Sequence, residues 1–347
     1  MSTVYSKPSG DVALELAGLL ADNASALERQ AATAGRLAAC PRRRACAVCG
    51  TDLAQAETAL THRGCPYVLC ADCGHLQTRQ QPPPGYPQAD GTGPGFEQVY
   101  PQRDPAELAS RGARIYRPKL DWCLAALAEA GVTAERAAGL AWRELGAGAG
   151  GFLAALADWG ARDIGGLENS PELTETANHM LGRPAVRRWG HTLHEALDEF
   201  RADIWAAFFV LEHTDQVGTF FRTFARQPAG TFLVMAVPCL GLSTLLEDMS
   251  PLHSARNLDS VLHTQLFSDR SLARCLELGG LRLVGQWVFG QDMDDFYRLA
   301  MTATQGNYAP ELRRMVADKL HQMQDEMQGV LDRNLFADAR HLLAVRP

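Results

Sequence analysis

The chain has little that would take it to a membrane or to nucleic acid. Its 347 residues contain no uncharged apolar run of the length, about 18 residues, that a membrane span needs. The start of the chain lacks the basic and apolar regions of a secretory signal peptide. The net charge of −7 provides no basic field for nucleic acid. We therefore expect a globular, cytoplasmic protein with room for more than one domain, and neither a membrane nor nucleic acid as its partner.

The chain also lacks an even set of cysteines. Nine are present, and an odd count argues against a disulfide framework. Four of them form two Cys-x-x-Cys pairs, Cys46 with Cys49 and Cys70 with Cys73, which are separated by 20 residues. This spacing is typical of a structural zinc site, in which four thiolates hold the ion in a closed tetrahedron. The sequence therefore predicts a zinc ribbon over residues 40–80 and a reducing compartment.

Other residues near the two pairs could complete the metal site instead. Cys40, Cys65 and His75 carry side chains that ligate zinc, and each lies close in sequence to one of the pairs. A set of free, buried thiols is the alternative that involves no metal.

Residues 144–151 read Glu-Leu-Gly-Ala-Gly-Ala-Gly-Gly. An apolar segment, 139–142, precedes them and a helical pattern, 152–159, follows. When a glycine turn joins a strand to a helix, backbone N–H groups and the helix N-terminus face a ligand. A second acid, Glu168, closes the next apolar stretch, where it is placed to bind ribose hydroxyls. The pattern predicts a site for a nucleotide-like cofactor.

This order of residues resembles the class I S-adenosylmethionine (SAM) methyltransferases, which carry Glu-x-Gly-x-Gly-x-Gly and then an acid after the second strand. The resemblance implies that the first acid and the turn hold the aminoacyl part of SAM, and that the second acid holds the ribose. Many members of the family carry a further acid after the third strand, where it contacts adenine, and this chain has His191 there. The implied cofactor-binding residues are Glu144, Gly146, Ala147, Gly148, Gly150, Glu168, Asn169, His191 and Leu211.

The glycines have other interpretations. Gly146, Gly148 and Gly151 also satisfy the Gly-x-Gly-x-x-Gly fingerprint of nicotinamide-dependent oxidoreductases. An ordinary tight turn, or a binding module without catalysis, is possible as well. The acid Glu144 before the turn, together with the Leu-Glu-His run at 211–213, favours the methyltransferase.

From residue 139 onward, apolar stretches and helical patterns alternate. Such a run of βα units predicts an α/β fold with a parallel sheet covered on both faces, and the resemblance implies a Rossmann-like sheet of seven strands. The predicted strands are 139–145, 163–168, 185–189, 204–211, 230–237, 281–289 and 296–303, the last two forming an antiparallel pair. The predicted helices are 151–159, 171–181, 192–199, 215–227 and 269–279.

Five segments are expected along the chain: an N-terminal helical segment, the ribbon, a linker, the α/β domain and a C-terminal helical extension. A leucine stripe predicts a helix over 12–38, and proline and glycine mark the linker. The C-terminal segment is expected to hold a helix, 309–337, and a short extended tail, 338–347. The boundaries of the five segments are 1–39, 40–80, 81–110, 111–307 and 308–347, with a substrate lid at 238–268.

Two histidines are candidates for acid–base chemistry. The Leu-Glu-His run at 211–213 resembles a segment common in small-molecule SAM methyltransferases. In the lid, His263 precedes a Phe-Ser pair at 267–268, and this segment resembles the zinc-ribbon sugar C-methyltransferases, in which the aligned histidine is the proposed general base. The Tyr-His-Glu run of that family is replaced by Ser-Val-Leu at 260–262. The resemblance implies that His263 and His213 are catalytic.

These observations favour a SAM-dependent methyltransferase that acts on a small molecule. The acceptor expected is a nucleotide-linked sugar or a secondary metabolite, methylated on carbon or on oxygen. An RNA methyltransferase is the main alternative because some of those enzymes also carry a zinc ribbon, but the net charge of −7 argues against it. We expect a monomer or a homodimer.

Overall fold

The computed structural model describes residues 2–8, 23–82, 108, 110–259 and 263–347. The first part of the predicted helix 12–38, most of the predicted linker 81–110 and residues 260–262 lie outside the described residues. Within the described ranges, no helix combines the length and the apolar character that crossing a membrane requires.

Two sheets organise the described residues, one of eight strands and one of four. A π-helical turn, Gly112–Tyr116, precedes helix α2, and a 3₁₀ turn, Leu211–His213, follows strand β8. In chain order the strands are β1 (Ser2–Tyr5), β2 (Thr58–His62), β3 (Cys65–Leu69), β4 (Leu76–Thr78), β5 (Ala141–Leu145), β6 (Asp163–Glu168), β7 (Val186–Arg188), β8 (Ile204–Phe208), β9 (Phe232–Pro238), β10 (Gln265–Leu266), β11 (Arg282–Val288) and β12 (Ala339–Val345). The helices are α1 (Asn23–Ala38), α2 (Arg117–Glu129), α3 (Ala134–Gly139), α4 (Gly151–Trp159), α5 (Pro171–Leu181), α6 (Leu193–Glu199), α7 (Val217–Phe224), α8 (Leu242–Met249), α9 (Asp269–Leu278), α10 (Asp292–Ala303) and α11 (Pro310–Arg333).

The larger sheet is mainly parallel, as the sequence predicts. Its strand order is β1-β11-β12-β9-β8-β5-β6-β7, and of these eight strands only β12 runs antiparallel to its neighbours. The chain moves outward from β5 through β6 to β7 and then returns to β8 on the other side of β5. Ligands of such sheets bind beside the carboxyl ends of the strands where the order reverses. The expected Rossmann-like α/β fold is confirmed, and its crevice lies at the ends of β5, β6 and β8.

Apolar side chains cover both faces of the larger sheet. Strands β8 and β9 are buried along their whole length, as their almost wholly apolar sequences require of central strands. On one face, α7 contributes Phe220, Phe221 and Phe224, none of them more than 1% exposed. Each such side chain adds about 1.5–3 kcal/mol of hydrophobic free energy to folding. Apolar residues of the ribbon belong to the same buried cluster, so the ribbon forms part of this core.

Predictions for the far side of the sheet are wrong in two places. Residues 296–303, predicted as a strand, lie in helix α10, which buries Met293 and Met301 at helical spacing. The strand that fills this role is β12, from the segment predicted as an extended tail, and it lies between β9 and β11 with all seven residues buried. Strand β1, in a segment predicted to be helical, makes eight strands where seven were predicted.

The smaller sheet belongs to the ribbon, with one exception. Its order is β10-β4-β3-β2, antiparallel throughout, and β10 comes from the segment 238–268, which the sequence predicts to be a substrate lid. The ribbon also approaches α7 closely, because a Cβ atom at Gly218 would lie 2.1 Å from the carbonyl oxygen of Val48. Only glycine fits at that position, so the contact between ribbon and α/β domain is built into the sequence of α7.

Candidate active site

The glycine turn after β5 has a conformation that suits glycine. Gly146, Gly148 and Gly150 have φ angles of +64°, +53° and +81°, which side-chain-bearing residues rarely adopt. Space is short as well, because a Cβ at Gly146 would lie 2.6 Å from Cγ2 of Val210. Helix α4 begins directly after the turn, so its N-terminal N–H groups face the same crevice. The sequence-predicted turn is therefore formed, and it lies against the residue that precedes the 211–213 turn.

Glu168, at the end of β6, is tied to the glycine turn. Its Oε2 accepts a hydrogen bond from the N–H of Gly148 at 2.8 Å, and its Oε1 accepts from Asn169 and Ser170 at 2.8 and 3.0 Å. Glu168 is thus hydrogen-bonded to two other predicted cofactor residues, Gly148 and Asn169. Since a carboxylate oxygen can accept two hydrogen bonds, Oε2 keeps one acceptor site that a ribose hydroxyl could use.

Glu144 and Lys119 place an acidic and a basic group in the same buried region. Glu144 is 4% exposed, and its Oε2 has no hydrogen-bond partner among the described residues. Burial raises the pKa of Glu144 well above its usual value, while Lys119 opposes that shift. Burial also lowers the pKa of Lys119 to about 7. No ion pair joins the two among the described residues, and burial favours the neutral form of each, so an oppositely charged group of a bound ligand would stabilise the charged form.

Lys119 was not predicted as a site residue. It lies on α2, is 7% exposed, and its Nζ sits 5.1, 5.3 and 5.4 Å from the ring centroids of Phe208, Phe209 and Tyr116. Cation–π attraction stabilises an ammonium group in such a position. In the sequence it is one lysine among the polar and apolar residues of a helix, and only the fold shows that it faces inward.

Three other predicted cofactor residues contribute less through their side chains. Ala147 and Leu211 are 6% and 0% exposed and pack in the cores on the two faces of the sheet. His191 lies at the surface before α6, with its ring centroid 4.9 Å from that of Trp189. Any contact of Ala147 or Leu211 with a ligand is therefore through the backbone.

The two predicted catalytic histidines come together at the end of β8. The ring centroids of His213 and His263 are 5.1 Å apart, and Nε2 of His263 lies 3.9 Å from Oε1 of Glu212. Burial, followed by the positive charges of His213 and Arg256, holds the pKa of His263 well below its usual value. The imidazole of His263 is therefore neutral at pH 7 and able to accept a proton.

Glu212 is a further polar residue of this cluster that sequence reasoning left without a role. Its side chain is fully buried, and neither carboxylate oxygen has a hydrogen-bond partner among the described residues. Burial raises its pKa to about 8. One ligand atom from each of Glu212, His213 and His263 lies within 4.8 Å of the others. The sequence signal that could have identified Glu212 is an acid next to a histidine at the end of a strand. The Leu-Glu-His run at 211–213 contains this signal.

The four predicted zinc ligands also lie together. Sγ of Cys46 is 3.6 Å from Sγ of Cys73, and Sγ of Cys49 is 3.6 Å from Sγ of Cys70. These separations exclude a disulfide, whose S–S bond is about 2.05 Å. A tetrahedral zinc with Zn–S bonds of about 2.3 Å needs sulfur atoms about 3.8 Å apart. The hydrogen bond from Cys73 lowers the pKa of Cys46 to about 4, so one sulfur is already suited to bind a cation.

The alternative zinc ligands lie outside this cluster. Cys40 and Cys65 are not among the four sulfur atoms that meet, and burial raises the pKa of Cys65 to about 12. Nε2 of His75 is hydrogen-bonded to Oε1 of Gln265 at 2.8 Å. The geometry thus fits the set Cys46, Cys49, Cys70 and Cys73.

Comparison with known proteins assigns the central part of the chain. Residues 143–234 match the family described as a methyltransferase domain. This stretch is therefore similar to methyltransferase domains. The match begins in β5 and ends in β9, so it spans the glycine turn, Glu168 and the 211–213 turn, and it confirms the enzyme class that the sequence predicts.

Solved structures of similar fold include two methyltransferases with bound S-adenosylhomocysteine. Magnesium protoporphyrin IX methyltransferase from Synechocystis PCC 6803 is 14% identical, with a TM-score of 0.43, over 73% of this chain and 93% of that one. Geranyl diphosphate C-methyltransferase from Streptomyces coelicolor A3(2), which also holds Mg²⁺ and geranyl diphosphate, is 12% identical, with a TM-score of 0.42, over 71% and 86%. No curated protein sequence matches the chain.

Proposed function

We propose that this chain is a SAM-dependent methyltransferase of a small molecule, in which His263 acts as the general base. One observation carries the proposal most directly. The glycine turn lies against Val210, and the next three residues form the turn that brings Glu212 and His213 to His263. A cofactor held by the turn would therefore lie beside an acid–base cluster.

The charges of the crevice suit the aminoacyl part of SAM. Its ammonium group would meet Glu144 and its carboxylate would meet Lys119, two buried groups that form no ion pair with each other in the described structure and whose charged forms the bound ligand would stabilise. Glu168 and the N–H groups of the turn would hold the ribose and the adjoining atoms. When bound, SAM supplies an electrophilic methyl group on a sulfonium centre.

His263 would remove the proton of the acceptor. Its low pKa keeps the imidazole neutral, so it can take a proton from a hydroxyl group or from a carbon next to a carbonyl as the methyl group is transferred. Glu212, whose Oε1 lies 3.9 Å away, is mostly protonated at pH 7, and the charge of the resulting imidazolium ion would favour its ionised form, which in turn stabilises that ion. His213, whose ligand atom lies within 4.8 Å of those of Glu212 and His263, would oppose a positive charge on His263, so it serves better as a contact to the acceptor.

The acceptor that we propose is a sugar, or another small metabolite with a hydroxyl or ketone group. The support comes from the lid, where His263 and the Phe-Ser pair at 267–268 resemble the zinc-ribbon sugar C-methyltransferases. A nucleic acid acceptor is not proposed, because a net charge of −7 gives no electrostatic attraction to it.

We further propose that the four clustered cysteines bind one structural zinc ion. Their sulfur atoms lie at the separations that a zinc–thiolate tetrahedron needs. All nine cysteines are free thiols, which fits a reducing, cytoplasmic setting.

Calorimetry with S-adenosylhomocysteine tests the cofactor assignment. We expect binding with micromolar affinity, and no binding of NAD under the same conditions. The Lys119→Met variant should bind the same compound more weakly, since it loses the partner of the carboxylate, whereas Lys319→Met on the exposed α11 is the matched control. Tight binding of NAD without binding of S-adenosylhomocysteine would overturn the proposal.

A further inference from the structure

The end of the lid is paired with the ribbon. Strand β10 follows His263 after one residue and pairs with β4, so that Gln265 lies opposite Gln77 and Leu266 opposite Leu76. The N–H of Thr78 also donates to the carbonyl oxygen of Thr264 at 2.9 Å. The backbone next to the proposed base is therefore bonded to the metal-binding module.

The side chain of Gln265 extends this link to the second histidine. It is fully buried, and its Oε1 meets Nε2 of His75 at 2.8 Å. Its Nε2 donates to the carbonyl oxygen of Thr214 and, at 3.3 Å, to Oδ1 of Asp215. Because Thr214 follows His213 directly, one amide joins the ribbon to the two segments that carry the histidines.

The ribbon end of the link belongs to the cysteine loop. The carbonyl oxygen of His75 accepts from the N–H of Cys70 at 2.9 Å, and the N–H of Gly74 donates to the carbonyl oxygen of Cys70 at 2.8 Å. His75 itself is fully buried and touches the ring of Phe267 edge to face at 4.9 Å. The position of His75 therefore depends on the loop that Cys70 and Cys73 close.

A second link runs beside the first. Nη2 of Arg43, at the entry to the ribbon, donates to Oδ1 of Asp215 at 2.7 Å, and the Arg43 side chain is almost fully buried. Its Nε donates to the carbonyl oxygen of Thr78, the residue that holds Thr264. Arg43 thus bonds the segment that follows His213 to the ribbon, and it meets the Gln265 link at Oδ1 of Asp215.

We propose that the ribbon is the template that positions the acid–base cluster, with Gln265 and His75 as positioning residues. This inference rests on the proposed role of His263, and it gives the zinc ion a task beyond stability of its own module. A zinc ion held by Cys46, Cys49, Cys70 and Cys73 would fix the cysteine loop. That loop positions His75 and β4, and these position Gln265 and the backbone beside His263. Residues 144–170, here called the cofactor corner, are held by bonds of their own and do not depend on the ribbon.

Backbone hydrogen bonds to β9 also support the end of this segment, and they limit the residues whose order should depend on the ribbon. The N–H of Phe267 donates to the carbonyl oxygen of Pro238 at 3.0 Å, and the N–H of Leu240 donates to the carbonyl oxygen of Phe267 at 2.8 Å. The backbone of Phe267 is thus bonded to β9 and to Leu240, and these bonds do not involve the ribbon. The ribbon acts on residues 263–266, and those are the residues whose order should depend on it.

The test compares Gln265→Met with Gln328→Met. Both substitutions remove a buried amide that makes three hydrogen bonds, but Gln328 bonds to α10 and to Asp332, within α11, and not to the ribbon. Backbone hydrogen exchange, the ring signals of His263 in ¹⁵N-histidine-labelled protein, zinc content and affinity for S-adenosylhomocysteine are measured for each. The His263 signals are assigned with a His263→Asn variant.

We expect Gln265→Met to keep its zinc and its affinity for S-adenosylhomocysteine within about twofold. Exchange in residues 263–266 should be about tenfold faster, and the ring signals of His263 should broaden or move, whereas Gln328→Met should leave both unchanged. Removal of zinc from the wild-type protein with a chelator should have the same local effect. If the Gln265→Met variant does not fold, hydrogen exchange and the His263 signals of the zinc-free protein test the inference instead.

Unchanged exchange at 263–266 and unchanged His263 signals, in either the variant or the zinc-free protein, would overturn the inference. Failure of the wild-type protein to bind S-adenosylhomocysteine would instead count against the proposed function. The two failures are distinct, because the first is read from the lid and the second from the glycine turn.

Discussion

The cofactor corner and the acid–base cluster lie in contact, yet they are built differently. The corner consists of residues 144–170, and its key bonds join Glu168 to Gly148, Asn169 and Ser170 within that stretch. The cluster joins residues 212–213 to residue 263, and its supports come from the ribbon, far earlier in the chain. A locally built site keeps its geometry when distant modules are disturbed, and a site assembled from distant segments does not.

The largest effect should follow loss of the ribbon's metal site. Cys73→Ser removes one of four thiolates, and for structural zinc the energy of binding, about 10–16 kcal/mol in small zinc modules, is also energy of folding. We expect elemental analysis to fall from one zinc per chain to nearly none, together with a lower melting temperature. Cys40→Ser, outside the cluster, should keep the metal. The reverse result would assign the ligands differently.

Loss of the proposed base should separate the two regions most clearly. His263→Ala should lower the turnover of an accepted substrate by about 10²–10⁴-fold, the usual contribution of a general base, while affinity for S-adenosylhomocysteine stays nearly the same. Since the pKa of His263 is well below its usual value, wild-type turnover should persist at pH values under about 6.5 and fall only as pH drops through that lowered pKa. A fall centred near 6.5 would contradict a buried base.

A substitution in the cofactor corner should weaken cofactor binding and leave the acid–base cluster unchanged. Glu168→Ala removes a carboxylate that bonds to three N–H groups and is placed to bind the ribose, so cofactor affinity should weaken by about 1.5–3 kcal/mol, the range for hydrogen bonds to a charged group. Isothermal calorimetry measures it, with the exposed Glu175→Ala on α5 as control. Hydrogen exchange in residues 263–266 should not change. If it does, the two regions are not independent.

The smallest effect concerns the cost of burying Glu212. Its pKa in the folded protein, about 8, is higher than the ordinary value, so folding favours the protonated form. The stability linked to that proton is complete below about pH 4.3 and is lost as pH rises through 8. Glu212→Gln carries no such charge and should be more stable than wild type by about 1–3 kcal/mol at pH 7.

Denaturant unfolding at several pH values checks this. The stability gained by Glu212→Gln should grow between about pH 4.3 and 8 and then level off, whereas the exposed Glu129→Gln should show no trend. Turnover of Glu212→Gln should fall if the carboxylate stabilises the imidazolium ion. A variant that is less stable than wild type at pH 7 would mean that the carboxylate has a partner, such as a metal ion shared with the two histidines.

The difference between the regions also decides how far the sequence could predict them. The glycine turn, Glu168 and the four cysteines follow short-range patterns, since their spacing alone dictates the local geometry. His263 and His213 were found through a resemblance. Lys119 and Glu212 were missed as site residues because their importance comes from burial, which depends on packing between segments far apart in the chain.

The errors in the sheet have a similar cause. Residues 296–303 form a short apolar run that fits a strand or a helix equally well, and periodicity alone does not decide between them. The tertiary structure decides, because β12 occupies the place beside β9 and leaves that run to pack as part of α10. Strand β1 was missed because four residues carry too little pattern to be recognised without their partner, β11.

The placement of β12 has a consequence for how the protein folds. Strands β9 and β11 have no direct contact across the sheet, and both are joined through β12, which is synthesised about a hundred residues after β9. Until β12 arrives, the centre of the sheet presents open strand edges, which slow folding and invite association with other chains. The ribbon and the cofactor corner can form before β12 is synthesised, whereas the sheet against which both pack is completed only when β12 pairs with β9 and β11.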